Sequence, residues 1–342
     1  MSYQLSVVVP TYQRRTELER LLRALGQQTL APDSYEVIVS IDGSNDGTRE
    51  LLAGLGAPYH LQSLWHPNRG RAAACNAGIA AARGTLVLLL DDDMEPSPRL
   101  LEAHRRAHAA GPRLGVLGAV PIALGPSCPP VVEYIGRKFN QHLEMLSTPG
   151  YRLKLRDFFT GNFSIRRDLL LEVGGFDEGF TMYGNEDVEL SLRLARAGVR
   201  VIYAPEASAQ QHYTKTFAQL ARDNIAKGQT AVLLATKHPE CLPELKLSTY
   251  RRGSWKWRAL RGMLLRASEW WPHTPEHVSR FMEWLQQRRG RNLPQYFTLS
   301  LDYFYWVGAR IAGWERAERS PAGSDAGPEL SAMGLASRRG PQ

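Results

Sequence analysis

Short runs that are apolar at every position recur along the first half of the chain, each followed by a polar loop and then by a segment of helical period. Leu5 to Val9 is apolar and β-branched and stops at Pro10. Thr16-Glu17-Leu18-Glu19 has the form of a capping box, and Leu18, Leu21, Leu22 and Leu25 fall on one face of the helix it predicts. Val37-Ile38-Val39 is a second apolar run, ending in Ser40-Ile41-Asp42-Gly43-Ser44, a turn and helix cap ahead of a short helix over 48–52. An Ala-rich helix over about 71–83 leads into Thr85 to Leu90, a third run. Strands without polar alternation are buried on both faces, as in a parallel sheet covered by helices. The order β-α-β-α-β then predicts an α/β fold whose strands deliver Pro10-Thr11-Tyr12, Asp42 and Asp91-Asp92-Asp93 to one sheet edge.

That edge carries the candidate chemistry. Three consecutive carboxylates repel one another and raise each other's pKa unless a positive charge lies among them. A divalent cation relieves the strain, and so does exposure to water. Open α/β sheets bind ligands in the crevice at their strands' C-terminal ends, and a hard cation held by one or two carboxylates there completes its shell with substrate phosphates. Further on, Glu186-Asp187 precedes Val188, Leu190, Leu192 and Leu194, which places both acids in a first helical turn. The helix dipole there favours negative charge and is expected to lower their pKa. Asn68 and Arg71 stand at the start of the Ala-rich helix, where backbone N–H groups attract anions and an Arg adds a charge-assisted contact; a solvent-facing Arg is the alternative.

Composition narrows the class only modestly. The chain of 342 residues is 43% hydrophobic and has three widely spaced cysteines, Cys75, Cys128 and Cys241, which suits reduced thiols rather than a disulfide or metal framework. The N-terminus enters a strand pattern directly, without the basic and apolar segments of a signal peptide, and no apolar run approaches the ~20 residues of a spanning helix. A cytoplasmic protein is expected, peripheral at most to the inner face of a membrane.

Six motifs, in order and at sensible spacing, carry a family resemblance. They are Ser6-Val7-Val8-Val9-Pro10-Thr11-Tyr12, Ile41 to Thr48, Asn68-Arg69-Gly70 with Asn76-Ala77-Gly78, Leu90 to Asp93, Gly161-Asn162-Phe163-Ser164 with Gly174 to Glu178, and Glu186 to Leu190. Together, over about residues 3–215, the chain resembles the inverting family 2 glycosyltransferases. The resemblance implies a GT-A fold, a Rossmann-like mixed sheet flanked by helices, and transfer of a sugar from a nucleoside diphosphate donor to a hydroxyl. It implies that Asp91-x-Asp93 is the family's DxD motif, with Asp93 ligating Mg²⁺ or Mn²⁺ and Asp91 and Asp92 helping to hold ribose and ion. Asp42 would accept from the base, flanked by Pro10 and Tyr12 with Thr11 beside them, although Ile41 stands where many members carry a second carboxylate. Asn68 and Arg71 would meet ribose or diphosphate. Asp187 would be the general base and Glu186 would orient the acceptor. His212, in Gln210-Gln211-His212-Tyr213, matches a position where several such enzymes reach the metal or diphosphate with a histidine.

After residue 235 the pattern changes, giving an expected division into 1–235, a basic Trp-rich helical extension 236–319 and a disordered tail 320–342 rich in Gly, Pro, Ser and Ala. Residues 246–319 hold 14 Lys/Arg against 6 Asp/Glu, an excess of +8 equal to that of the whole chain, and seven of its eight tryptophans. Thr274 and Pro275 open one helix that Gly290 closes behind Arg288-Arg289, and a second runs over about 295–316. Such helices suit an anionic membrane interface, or pack on the catalytic domain and close its acceptor cleft, and a lipid-linked acceptor is compatible with both.

The expected function is therefore inverting, metal-dependent glycosyl transfer in cell-surface glycan or glycolipid synthesis, with no nucleic acid as partner. A sugar-phosphate nucleotidyltransferase would show a Gly-rich, basic phosphate loop after the first strand, which Pro10 to Arg15 lacks. A non-enzymatic membrane- or nucleic-acid-binding protein would use the basic aromatic extension but leave the acidic edge without a role.

Overall fold

The computed structural model describes residues 3–288 and 290–314. The expected tail 320–342, the end of the last helix beyond 314 and Arg289 lie outside the described residues. In chain order the elements are β1 (Leu5–Thr11), α1 (Arg15–Leu25), β2 (Tyr35–Asp42), α2 (Thr48–Gly54), β3 (His60–His66), α3 (Arg71–Ala81), β4 (Leu86–Leu90), β5 (Met94–Pro96), α4 (Leu100–Ala107) and β6 (Leu114–Ala119). They continue with α5 (Pro130–Leu146), β7 (Asn162–Arg166), α6 (Arg167–Glu172), α7 (Glu186–Arg196), β8 (Arg200–Gln211), α8 (Phe217–Lys237), α9 (Trp255–Trp270), α10 (Thr274–Gln287) and α11 (Leu293–Ile311).

One eight-stranded sheet runs in the order β3-β2-β1-β4-β7-β6-β8-β5. The first four of these strands are mutually parallel, with Val7 opposite Val37 and Leu88, so their C-terminal ends share an edge. β7 runs antiparallel to both β4 and β6, which makes the sheet mixed. The uninterrupted apolar runs are explained by burial on both faces. Val7, Val9, Val37, Val39, Leu88 and Leu90 face α1 and α4, while Val8, Ile38, Val87 and Leu89 meet α3 on the other side.

The capping box expected at Thr16 does not form. The helix begins one residue earlier, no side chain of its own caps it, and Asp46 from the loop after β2 accepts the Arg15 N–H at 2.9 Å. The same carboxylate accepts the N–H and hydroxyl of Thr48. One aspartate thus closes the N-termini of two helices, which no local four-residue pattern can express.

The C-terminal helices form a third apolar layer with α5 and α8. α8 and α11 cross closely, since a Cβ at Gly228 would lie 2.0 Å from the Tyr305 carbonyl oxygen and one at Gly308 1.9 Å from that of Ile225. Phe217, Phe297, Phe304 and Trp306 fill the layer, so much of the expected aromatic content of this region is core. α9 is a helix that the periodicity reading omitted. Its cap, Ser254 accepting from the Trp257 N–H, is visible in the sequence, but the mixture of Trp, Arg and Gly around it gives no single apolar stripe. No described helix is long and apolar enough to cross a membrane.

Candidate active site

Two adjoining cavities open at the C-terminal edge of the parallel strands. The smaller, about 390 Å³, is lined by Pro10, Thr11, Tyr12, Asp42, Asn68 and Asp91 to Asp93, among others. The larger, about 500 Å³, contains Glu186 and Asp187 and lies under α5, α8 and the segment 244–246. Arg71, Asp91, Tyr183, Gln211 and Tyr213 line both. Every expected site residue except His212 therefore lines one of two adjoining spaces.

The acidic edge is neutralised by arginines. The Thr11 hydroxyl donates to Asp92 Oδ2 at 2.8 Å, and Arg14 Nη1 donates to Asp92 Oδ1 at 3.2 Å and Asp93 Oδ2 at 2.9 Å. Gln211 Nε2 donates to both oxygens of Asp93. Burial pushes the Asp92 carboxyl up to about 7, against the pull of Arg14, with the charge of Asp93 adding to the rise. Asp93 is raised for the same first reason, and next by Asp91. Burial works to lower the pKa of Arg14, but the Asp92 and Asp93 charges outweigh it and leave the guanidinium firmly protonated. Arg14 was not among the expected site residues. It follows Gln13, whose φ of 55° is unusual for a side-chain-bearing residue and whose N–H donates to Ser44 Oγ, so the turn after β1 is held in a strained shape that aims the arginine at the acids.

Asp91 belongs to a second ion network. Arg71 Nη2 donates to Asp91 Oδ1 at 2.7 Å, its Nη1 donates to Thr160 Oγ1 at 3.0 Å, and Glu186 Oε1 lies 3.6 Å away. The solvent-facing alternative for Arg71 is thereby replaced by a bridge between the acids of the two cavities. Gly161 makes room for it, because a Cβ there would lie 2.6 Å from Asp91 Oδ2.

Asp42 is buried and already engaged. Its Oδ1 accepts the Arg69 N–H at 2.7 Å and its Oδ2 the Gly70 N–H at 2.9 Å, while Asn68 Nδ2 donates to its carbonyl oxygen. It therefore builds the turn into α3, and each carboxylate oxygen keeps a second lone pair.

Glu186 and Asp187 open α7 behind Asn185, which sits at φ 68° and is held by Nδ2 bonds to the Lys227 carbonyl and Thr230 hydroxyl. The helix dipole does not lower the pKa of Asp187 as the sequence suggests. Burial raises it, the neighbouring Glu186 charge raises it further, and Arg71 opposes both only in part. Glu186 is buried and its Oε2 has no hydrogen-bond partner among the described residues, an orphaned acceptor of the kind a bound hydroxyl would satisfy.

His212 is turned elsewhere: Nε2 lies 2.6 Å from Glu95 Oε2, and only its backbone N–H reaches the acidic edge, donating to the Asp93 carbonyl. Among the described residues, no three His, Cys, Asp or Glu side chains form a preassembled metal shell. Lys215, Lys227, Tyr183 and Tyr213 also line the cavities without having been expected there. They come from loops and from α8, whose place over the site follows from its packing on α11.

Comparison with known proteins agrees with this geometry. Residues 6–174 match the family described as glycosyl transferase family 2, and residues 141–218 match the N-terminal domain of galactosyltransferase. Validoxylamine A glucosyltransferase of Streptomyces hygroscopicus subsp. limoneus is 28% identical over 327 residues, covering 87% of this chain and 67% of that protein. A pre-mycofactocin glycosyltransferase of Mycobacterium tuberculosis is 31% identical over 246 residues, covering 71% and 50%. Among solved structures, the mannosyltransferase PcManGT from Pyrobaculum calidifontis, in complex with GDP-Man and Mn²⁺, superposes with a TM-score of 0.55 at 21% identity, covering 90% of this chain and 88% of that one. Staphylococcus aureus TarS 1–349 in complex with UDP gives 0.50 at 15% identity, covering 94% and 93%. These superpositions establish the GT-A fold, and with the matched residues and the ordered motifs at the sheet edge they show that the chain belongs to glycosyltransferase family 2.

Proposed function

We propose that this glycosyltransferase binds a nucleoside diphosphate sugar in the smaller cavity and a hydroxyl-bearing acceptor in the larger, and transfers the sugar with inversion. The observation that carries this reading is the pair of adjoining cavities with Arg71 and Asp91 lining both, the acidic edge on one side and Asp187 on the other. Pro10, Tyr12 and Asp42 hold the base, with Asp42 using the lone pairs left by Arg69 and Gly70, and Asn68 and Asp92 hold the ribose. Asp93 and Asp91 hold a divalent cation. The donor set fits one: the oxygens are hard carboxylates, and Arg14 already bridges Asp92 and Asp93 where positive charge is favoured. When bound, Mg²⁺ or Mn²⁺ compensates the charge that develops on the departing diphosphate. Asp187 takes the proton of the acceptor hydroxyl, and its raised pKa suits a base better than an ordinary carboxylate would. Glu186 accepts from a second acceptor hydroxyl at Oε2. Arg71 holds Asp91 and Glu186 in place. The site of action is the cytoplasm.

Thermal stabilisation by a panel of UDP, GDP and TDP, with and without Mn²⁺, tests the donor side, since a ligand that binds only the folded form raises the melting temperature. One nucleotide is expected to stabilise only with the ion, and Asp93→Ala to abolish the effect; metal-independent stabilisation of that variant equal to wild type removes Asp93 from the role. Asp187→Asn should retain donor binding while turnover falls about 10²–10⁴-fold.

A further inference from the structure

α9 has two unlike faces. Its inner face is pinned to the helical layer: Trp257 Nε1 and Arg261 Nη1 both donate to Asp302 Oδ2 of α11, at 3.0 and 2.9 Å, and Leu265 is buried. Along the outer face, Trp255, Met263 and Trp270, spaced i, i+8, i+15, stand 69%, 61% and 84% exposed, and Trp271 at the helix end is 74% exposed. Singly exposed apolar residues need no explanation, but two indoles and a thioether along one stripe, with a third indole at the helix end, do. This stretch of chain is also rich in cations. Arg251, Arg252, Lys256, Arg258, Arg266 and Arg280 are exposed and have no carboxylate within ion-pair distance among the described residues.

We propose that this outer face of α9 docks on an anionic lipid membrane. Indole rings lie at the boundary of headgroup and acyl chain, with the ring in the apolar layer and N–H toward water, and flanking Arg and Lys reach lipid phosphate. Charge decides among the occupants. A second copy of this chain seated face to face would bring cations against cations, which an isologous contact cannot avoid. A nucleic acid would suit the cations and indoles, yet Met263 and Leu260 on the exposed surface offer it nothing to stack, whereas both gain by entering an acyl layer. The position would also suit a lipid-borne acceptor for the larger cavity. Asp302 also pairs through Oδ1 with Lys246 at 2.9 Å, and Lys246 lines the larger cavity, so one carboxylate ties the membrane-facing helix to the acceptor wall. This last step, and only this one, rests on the acceptor reading given for that cavity.

Flotation of the full chain with vesicles tests the docking without any sugar donor. Vesicles containing 30% phosphatidylglycerol in phosphatidylcholine are expected to carry the protein up the gradient and to blue-shift its tryptophan emission. Pure phosphatidylcholine should carry at least about tenfold less, and 0.5 M NaCl should reduce binding to the anionic vesicles severalfold. The double variant Trp270→Ser/Trp271→Ser should lose about tenfold or more in partition with its melting temperature unchanged, and Arg258→Gln/Arg266→Gln should lose a similar factor. Equal binding to neutral and anionic vesicles, unchanged binding by both variants, or salt-sensitive RNA binding in the absence of any vesicle binding would overturn the proposal, as would dimerisation abolished by the tryptophan substitutions.

Discussion

Glu186 and Asp187 are adjacent in the chain and open the same helix, yet their side chains are set in different company. Among the described residues, Glu186 faces Arg71 and carries an unsatisfied oxygen, while Asp187 bonds only the Val188 N–H and feels burial and the Glu186 charge. A base works when deprotonated, so with Asp187 in its proposed role activity should fall as pH drops through its pKa, and that fall lies above the ordinary carboxylate range. Removing one of the charges that raises it should move the fall to lower pH. Glu186→Gln is therefore expected to shift the acid limb of the kcat profile downward, as read from initial rates across pH with saturating donor and acceptor. A limb that stays in place would mean that Glu186 does not act on Asp187 electrostatically. Arg14 makes the complementary point: two residues beyond Tyr12, it was legible only as one more basic residue, and its role comes from the positive φ of Gln13 and the approach of the β4 edge.

At the scale of elements, glycines separate what propensity predicts from what packing demands. Gly228 in α8 and Gly262 in α9 both interrupt helices, where glycine costs about 1 kcal/mol relative to alanine. Gly228 has the carbonyl of Tyr305 where a Cβ would go, whereas none of the described residues comes within 4 Å of the same position at Gly262. Gly228→Ala should destabilise by about 2–3 kcal/mol as α11 is forced off, and Gly262→Ala should stabilise by up to about 1 kcal/mol. Denaturant unfolding of the two variants gives both signs in one experiment. The strands of the parallel half needed no such help, since burial on both faces writes itself as an uninterrupted apolar run. α1 shows the limit of local signals, because its N-terminus is satisfied by Asp46, 31 residues from the N–H it accepts.

Over the whole molecule, the helical layer behind α8 is part of the site's construction. Lys227 of α8, Lys246 and Tyr305 of α11 line the larger cavity, and Asp302 joins Lys246 to Arg261 and Trp257. Burial lowers the pKa of Lys246 and Asp302 opposes that. Asp302→Asn would leave a buried guanidinium and a half-buried ammonium with weakened compensation, and a loss of about 2–3 kcal/mol is expected by thermal or denaturant unfolding. Because the same carboxylate positions the cavity wall, the acceptor KM should rise more than the donor KM; equal effects on both would place the damage in general stability alone.

The sequence by itself determined the α/β class, the shared edge of the first parallel strands, the acidic triad and the Glu186-Asp187 pair, because these depend on hydrophobic period and on the order of residues within one loop. Only the tertiary structure decided that Asp42 spends bonds on its own turn, that His212 rests on Glu95, that arginines sit among the acids, and that α9 has a pinned and an open face. Those outcomes depend on which distant groups arrive within hydrogen-bond or Coulomb range. Neither periodicity nor spacing along the chain records such distances.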